Sequence, residues 1–376
     1  MKSTLIDVHT HIYPPAYLRL LRSRKQVPYL LDLPNHEGDE DSTHSDSPSP
    51  RLIILPSDND QRIPPAKRGR PLDSGYSSVP EILEFMDVHG IGKSILSLAN
   101  PWLDFLPASE GPKWALTINQ ELEEVCASSE GRLYTFGALP LSAPPPQICE
   151  AIQSLGGSPH VKGVIIGTSG LGQGLDDPAL EEVYATLQQS QTLVFLHPHY
   201  GLPSTVYGPR AHESGHVLHL SLGFPLETTI SFTRMYVSGV FDRFPRLKIL
   251  IAHAGATIPF LAGRISSCIE HERLYHDMDG TRVGGPERSL QEVLTTNVWV
   301  DAVVYSASAV QAAADVVGRD RVLFGTDHPF FPPLKAGAEE WMSVKTNVQA
   351  VREAFEKAEV VDGILGGNAT KLLDLP

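Results

Sequence analysis

Leu5-Ile6-Asp7-Val8-His9-Thr10-His11 is an apolar run that ends in two histidines two positions apart. Successive side chains of a β-strand point to opposite faces, so His9 and His11 share a face and can converge on one ion. Outward from this stretch, seven more apolar, β-branched runs bounded by turn residues follow, at 94 to 100, 133 to 140, 162 to 168, 192 to 198, 248 to 255, 298 to 304 and 322 to 328. Helical periodicity lies between them. Pro80 to His89 places Ile82, Leu83, Phe85 and Met86 on one face, 112 to 126 repeats this through Ala115, Ile118, Leu122 and Val125, and Leu180, Val183, Tyr184 and Leu187 follow Pro178. Near-continuous apolar strands separated by helices imply a parallel sheet covered by helices. Eight such units imply closure into a (β/α)8 TIM-type barrel, with a doubly wound open sheet as the rival.

At 376 residues, with 41% hydrophobic and 20% charged residues, the chain suits one barrel domain spanning 1 to 376. The three cysteines, Cys126, Cys149 and Cys268, are far apart and form no C-x-x-C, so neither a disulfide framework nor a thiolate zinc site is expected. A reducing compartment follows. The start MKSTLIDVHTH leaves no room for a signal peptide, and no 18-residue apolar run suggests a membrane span, so a cytoplasmic enzyme is expected. A net charge of −14 argues against nucleic acid. An anionic small substrate then requires a local cation inside the site.

An insertion over 35 to 80 breaks the alternation and is expected near the barrel mouth. Its first part, NHEGDEDSTHSDSPSP (35 to 50), is polar and acidic and reads as a solvated loop. The basic stretch Lys67, Arg68 and Arg70 is expected to fold over the mouth, where long βα loops build active sites.

Metal-competent groups recur at later strand ends: His197 in FLHPHYG, His253 in IAHAG and Asp327 in FGTDHPF. Barrel catalytic groups come from the C-terminal ends of several strands. Imidazoles with one carboxylate suit Zn²⁺ or another borderline divalent ion, with open positions left for catalysis. His199 and His328 adjoin these positions and read as supporting or packing groups.

The strings DVHTH, LHPH, AHAG and GTDHPF, with the closing GGNATKLLDL, resemble the amidohydrolase superfamily. The resemblance covers essentially the whole chain and points to the branch of metal-dependent, non-oxidative decarboxylases that act on aminocarboxymuconate semialdehyde, γ-resorcylate and 5-carboxyvanillate. LSLANPWLDF, GTSGLGQGLDDP, FLHPHYGLPSTVYGP, LGFPLETTI and FGTDHPFFPP are similar to the fungal uracil-5-carboxylate (isoorotate) decarboxylases of that branch. The resemblance implies that His9, His11, His197 and Asp327 bind one divalent metal, Zn²⁺ or alternatively Mn²⁺, with His253 beside it. It implies that Arg70, Asn100, His253 and Phe330 contact a small anionic aromatic or pyrimidine carboxylate, with Asp327 and His253 catalytic. A homo-oligomer is also implied.

The hydrolytic members carry a lysine at the end of the fourth strand, where this chain has Gly167 and Thr168, so a single ion is expected. Two alternatives stay open: a hydroxybenzoate such as γ-resorcylate as substrate, or a metal-dependent hydrolase of the same fold.

Overall fold

A computed structural model describes residues 4–33, 50–279, 285–333 and 340–376. Eight parallel strands hydrogen-bond in chain order. They are β1 (Leu5–Ile12), β2 (Ile91–Leu98), β3 (Leu133–Ala138), β4 (Val161–Gly167), β5 (Leu193–His197), β6 (Lys248–Ile251), β7 (Val298–Asp301) and β8 (Val322–Leu323). Most strand residues are buried, because one face fills the interior and the other packs on the surrounding helices. Val8 N donates to Phe324 O (3.0 Å), Asp327 N to His9 O (2.8 Å) and His11 N to His328 O (2.7 Å), which joins the last strand's exit to the first strand. The result is a nearly closed (β/α)8 barrel, which disposes of the open-sheet rival.

The helices follow the apolar periodicity. Val79–His89 begins at Ser78, whose side chain accepts from Glu81 N, and ends at Gly90 in the left-handed region (φ 67°). It buries Ile82, Phe85 and Met86, while Leu83 is only partly buried. Gly111–Ala127 buries Ala115, Ile118, Leu122 and Cys126, with Val125 at the margin. After Asp177, Pro178–Leu180 forms a 3₁₀ turn before the helix Glu181–Gln189.

Most strands end within two residues of their apolar runs, but three stop well short of them. The sixth was expected to reach 255 but ends at Ile251, the seventh 304 but ends at Asp301, and the eighth 328 but ends at Leu323. After β6 and β8 the reason is backbone conformation: His253, Ala254 and Asp327 have φ of 57°, 55° and 61°, values that a strand cannot contain. After β7 the chain turns at once, with Val303 N donating to Asp301 Oδ1 (3.0 Å) and Val304 N to Ala302 O (2.9 Å). The site residues beyond β6 and β8 therefore sit on turns.

Of the insertion, 35 to 49 lies outside the described residues. The remainder contributes a small antiparallel sheet of Tyr29–Leu31, Arg51–Ile53 and Arg70–Pro71. Only part of the basic stretch reaches the mouth. Arg68 donates to Ile63 O (2.7 Å) and Gln61 O (3.1 Å) within the insertion, and Lys67 is exposed. Of the three, Arg70 alone turns toward the barrel, where its guanidinium donates to Asn100 Oδ1 (2.9 Å) and stands over the Phe330 ring. No helix among the described residues is long and apolar enough to cross a membrane.

Candidate metal centre

β1 holds His9 and His11 on one face with their Nε2 atoms 3.0 Å apart. His197, the last residue of β5, sets its ring edge-on to both, with centroids 5.1 Å and 4.9 Å away. Asp327 enters from the closing seam, its Oδ1 3.3 Å from His9 Nε2 and 3.2 Å from His11 Nε2. All four residues are buried, and one donor atom from each lies within 4.8 Å of the others.

The second ring nitrogens decide what this cluster offers. His9 Nδ1 lies 2.7 Å from Asp301 Oδ2, and an ionised carboxylate only accepts, so Nδ1 carries the proton. His197 Nδ1 donates in the same way to Pro198 O at 2.7 Å. Ser97 Oγ donates to Thr10 O (3.2 Å) and therefore accepts from His11 Nδ1 (3.0 Å). Three Nε2 lone pairs are thus left facing one centre. His197 Nε2 and Asp327 Oδ1 are buried there without a hydrogen-bond partner among the described residues. Buried polar atoms are nearly always satisfied, and three imidazoles with a carboxylate satisfy themselves on one divalent cation.

Without an ion, a proton fills the centre. Burial alone would depress His9, but the Asp327 and Asp301 carboxylates outweigh it and push the imidazole up to about 10. Burial lowers His11 to about 4 and, with the neighbouring imidazoles, holds His197 well below the usual range. Burial works against the charge of Asp327, yet His9, His11 and His253 keep its carboxyl well below the usual carboxylate range. Proton and metal compete for the same position.

The remaining expected residues gather around this set. The His253 ring lies 5.2 Å from that of His9 and 5.4 Å from that of His197, with its Nε2 3.7 Å from Asp327 Oδ2. Left-handed backbone at non-glycine residues costs on the order of 1–3 kcal/mol each, and His253 and Asp327, at φ 57° and 61°, carry that strain beside the cluster. Phe330 packs edge-on to His11 at 5.5 Å, and the Arg70 guanidinium stands 5.1 Å above the Phe330 ring. Arg70 Nη2 donates to Asn100 Oδ1 (2.9 Å) and Asn100 O (3.2 Å), and Asn100 Nδ2 donates to His199 O (2.7 Å). The Arg70 Nε is buried with no partner among the described residues. His328 packs on Phe85 and Trp341, and His199 stacks on Tyr200 at 3.8 Å beside Trp102 with its Nε2 3.4 Å from Asp104 Oδ1, so neither joins the four-residue cluster.

Several supporting residues escaped the sequence reading. Asp7 accepts from His9 N (3.0 Å), Thr10 Oγ1 (2.7 Å), Thr326 N (3.0 Å) and Thr326 Oγ1 (2.5 Å), pinning the Asp327 turn to β1. Burial raises its carboxyl to about 6 against those donors. Glu227 accepts from the backbone N–H of His199, Tyr200 and Gly201 and fixes the loop after β5. Asp301 ends β7 and contacts both β1 and the turn after β6. The available signal was the same for Asp7 and Asp301: an acid inside an otherwise apolar run.

The fourth strand explains the missing lysine. A Cβ at Gly167 would lie 2.7 Å from Trp102 Cζ3 and 2.9 Å from His199 Nδ1. Trp102 occupies the volume that a longer side chain would need. Gly167→Ala is expected to lower stability by about 1–3 kcal/mol through overpacking, read as a drop in melting temperature. Gly167→Lys is expected to fail to recruit a second ion, as metal analysis would show.

A family model described as amidohydrolase matches residues 6–375. The crystal structure of apo Metarhizium anisopliae IDCase, an isoorotate decarboxylase, is 45% identical, superposes with a TM-score of 0.90, and covers 99% of this chain and 97% of its own. The 2-amino-3-carboxymuconate-6-semialdehyde decarboxylase of Dictyostelium discoideum is 25% identical over 378 residues, 100% of this chain and 92% of the relative. A 5-carboxyvanillate decarboxylase of Novosphingobium aromaticivorans, solved with bound manganese, shares the fold at 22% identity with a TM-score of 0.68, covering 80% of this chain and 83% of that one. A match that runs from β1 almost to the last residue takes in every donor of the buried cluster, and the chain belongs to the amidohydrolase family.

Proposed function

We propose that the chain is a metal-dependent, non-oxidative decarboxylase converting uracil-5-carboxylate to uracil and CO₂. The observation that carries this reading is the 45% identity to IDCase over 99% of the chain. The clustering of Arg70, Asn100 and Phe330 beside the donor set agrees with it.

His9, His11, His197 and Asp327 hold the ion in this reading. Three imidazoles with one carboxylate suit Zn²⁺, and Mn²⁺ is the alternative, since a related decarboxylase binds it. When bound, the ion supplies a Lewis acid that draws the substrate carboxylate into the site and offsets its charge. The chain's own residues then divide the work. Phe330 packs on the face of the flat ring, and the unpartnered Arg70 Nε–H is a donor for a ring oxygen. Asn100 has a second amide hydrogen beyond the one given to His199 O.

Asp327 delivers a proton to the ring carbon that bears the carboxylate. The carbon–carbon bond then breaks, its electron pair returns to the ring and CO₂ leaves. Asp327 is ionised in the ligand-free chain, so the proton must reach it as substrate binds. His253 is the relay, standing 3.7 Å away with its side chain 17% exposed. Arg70 and the ion together reverse the sign of an acidic surface, which lets an anionic ring enter.

Asn100→Ala should leave measurable but weakened activity. KM is expected to rise about tenfold, the effect of losing roughly one hydrogen bond to a charged group, with a smaller change in kcat, as steady-state uracil formation would show. Equal KM for variant and wild type would remove Asn100 from the substrate contacts. We place the reaction in a reducing, cytoplasmic setting, since all three cysteines are unpaired. We also read the chain as one barrel domain that assembles as a homo-oligomer.

A further inference from the structure

Asp301 stands at the end of β7, fully buried, with its two carboxylate oxygens turned to different parts of the site. Oδ2 accepts from His9 Nδ1 at 2.7 Å. Oδ1 accepts from the backbone N–H of Ala254 and of Val303, both at 3.0 Å. One side chain therefore ties a donor on β1 to the turn after β6 that carries His253. The plain alternative is a buried acid whose partners merely satisfy it. The identity of those partners separates the two readings: among the described residues, neither oxygen bonds a side chain remote from the site.

The geometry points to Asp301 as a positioning residue with two separable duties, Oδ2 setting the donor state of His9 and Oδ1 holding the His253 turn. This rests on the metal reading given above. For the first duty, a carboxylate at Nδ1 keeps the imidazole proton there, leaves the Nε2 lone pair for the ion and strengthens it as a donor. An amide nitrogen at that place would donate instead and force the proton onto Nε2, which could then no longer bind a cation. For the second duty, His253 and Ala254 both have left-handed backbone, at φ 57° and 55°. Such residues persist only where neighbours over-determine them. Here the Ala254 N–H is held by Asp301 and the Ala256 N–H donates to His253 O at 2.8 Å. Without the Asp301 bond, the turn can relax toward ordinary φ and swing the His253 ring away from Asp327.

Two variants divide the duties. In Asp301→Asn the side-chain oxygen still accepts from Ala254 and Val303 while the amide nitrogen faces His9. In Asp301→Ala both contacts are lost. Zn²⁺ affinity, measured by competition with a chromophoric chelator, is expected to weaken about 10–100-fold in both variants. At saturating Zn²⁺, Asp301→Asn should regain most of its kcat, whereas Asp301→Ala should stay about 10–100-fold lower, the cost of a misplaced catalytic group. Nitrogen-15 spectra of the histidines in Zn²⁺-loaded wild-type protein provide a test that needs no variant to fold, and should show His9 protonated at Nδ1.

Wild-type affinity for Zn²⁺ retained unchanged in Asp301→Asn, or an unprotonated His9 Nδ1 in the loaded wild type, would overturn the first duty. Equal kcat for the two variants at saturating Zn²⁺ would overturn the second. Wild-type protein that bound no Zn²⁺ or Mn²⁺ would instead overturn the metal reading itself.

Discussion

Asp327→Asn is expected to lower kcat by about 10²–10⁴, the usual contribution of a positioned general acid, while the protein keeps its metal. The two parts of that expectation come from different atoms. Oδ1 faces His9 and His11 at 3.3 Å and 3.2 Å, and the amide oxygen of asparagine can take its place as a neutral donor. Oδ2 stands 3.7 Å from His253 Nε2, on the proton-transfer side, and an amide there can neither accept nor release the proton that the ring carbon needs. The backbone should not resist the change, since asparagine tolerates the left-handed conformation found at 327 (φ 61°) better than most residues. Metal content by elemental analysis and single-turnover rates separate the two roles. Near-normal turnover with metal bound would remove Asp327 from the proton transfer. Loss of metal together with turnover would make it a ligand first.

His197→Gln should abolish activity by emptying the centre. An apparent binding free energy of about 10–16 kcal/mol for four-ligand zinc sites divides into roughly 3 kcal/mol for each donor, so metal affinity should fall by a factor on the order of 10² or more. The accompanying effect on the ion-free protein tells a ligand from a packing residue. His197 Nε2 is a buried acceptor without a partner among the described residues, and burial already keeps the imidazole neutral. The glutamine amide brings N–H donors to the place where Asp327 Oδ1 is buried without a partner among the described residues, so the ion-free variant should melt no lower than the ion-free wild type. The metal-loaded proteins should differ by many degrees in favour of wild type, because binding to the native state alone stabilises it. A histidine that served only to fill space between Phe195 and Trp102 would show the reverse, a lower ion-free melting temperature and an unchanged metal titration.

Much of the site could be read before the fold was known, for a physical reason. His9, His11 and His197 lie on strands, where direction follows from a period of two and the run of apolar neighbours. Barrel closure turns three such ends into one centre. Asp327 and His253 were recognised as residues, but their placement was misread as strand, since left-handed backbone is imposed by bonds from far along the chain. Asp301 reaches His9 across 292 positions and Ala254 across 47. No local pattern carries such a link. The basic stretch shows the opposite error: Lys67, Arg68 and Arg70 look alike in composition, yet only Arg70 reaches Asn100 and Phe330, while the Arg68 guanidinium is taken up by the Ile63 and Gln61 carbonyls. The absent lysine was legible as an absence. Its cause, the Trp102 ring against Gly167, is a contact between β4 and the loop after β2 and needed the structure.

The measurement that bears most directly on the whole account is the incubation of Zn²⁺-loaded and chelator-stripped protein with uracil-5-carboxylate, following uracil by ultraviolet absorbance and CO₂ by trapping. Equimolar uracil and CO₂ are expected from the loaded protein, none from the stripped protein, and recovery when Zn²⁺ or Mn²⁺ is returned. Loaded protein that leaves uracil-5-carboxylate intact, or stripped protein that turns it over at the same rate, would contradict it.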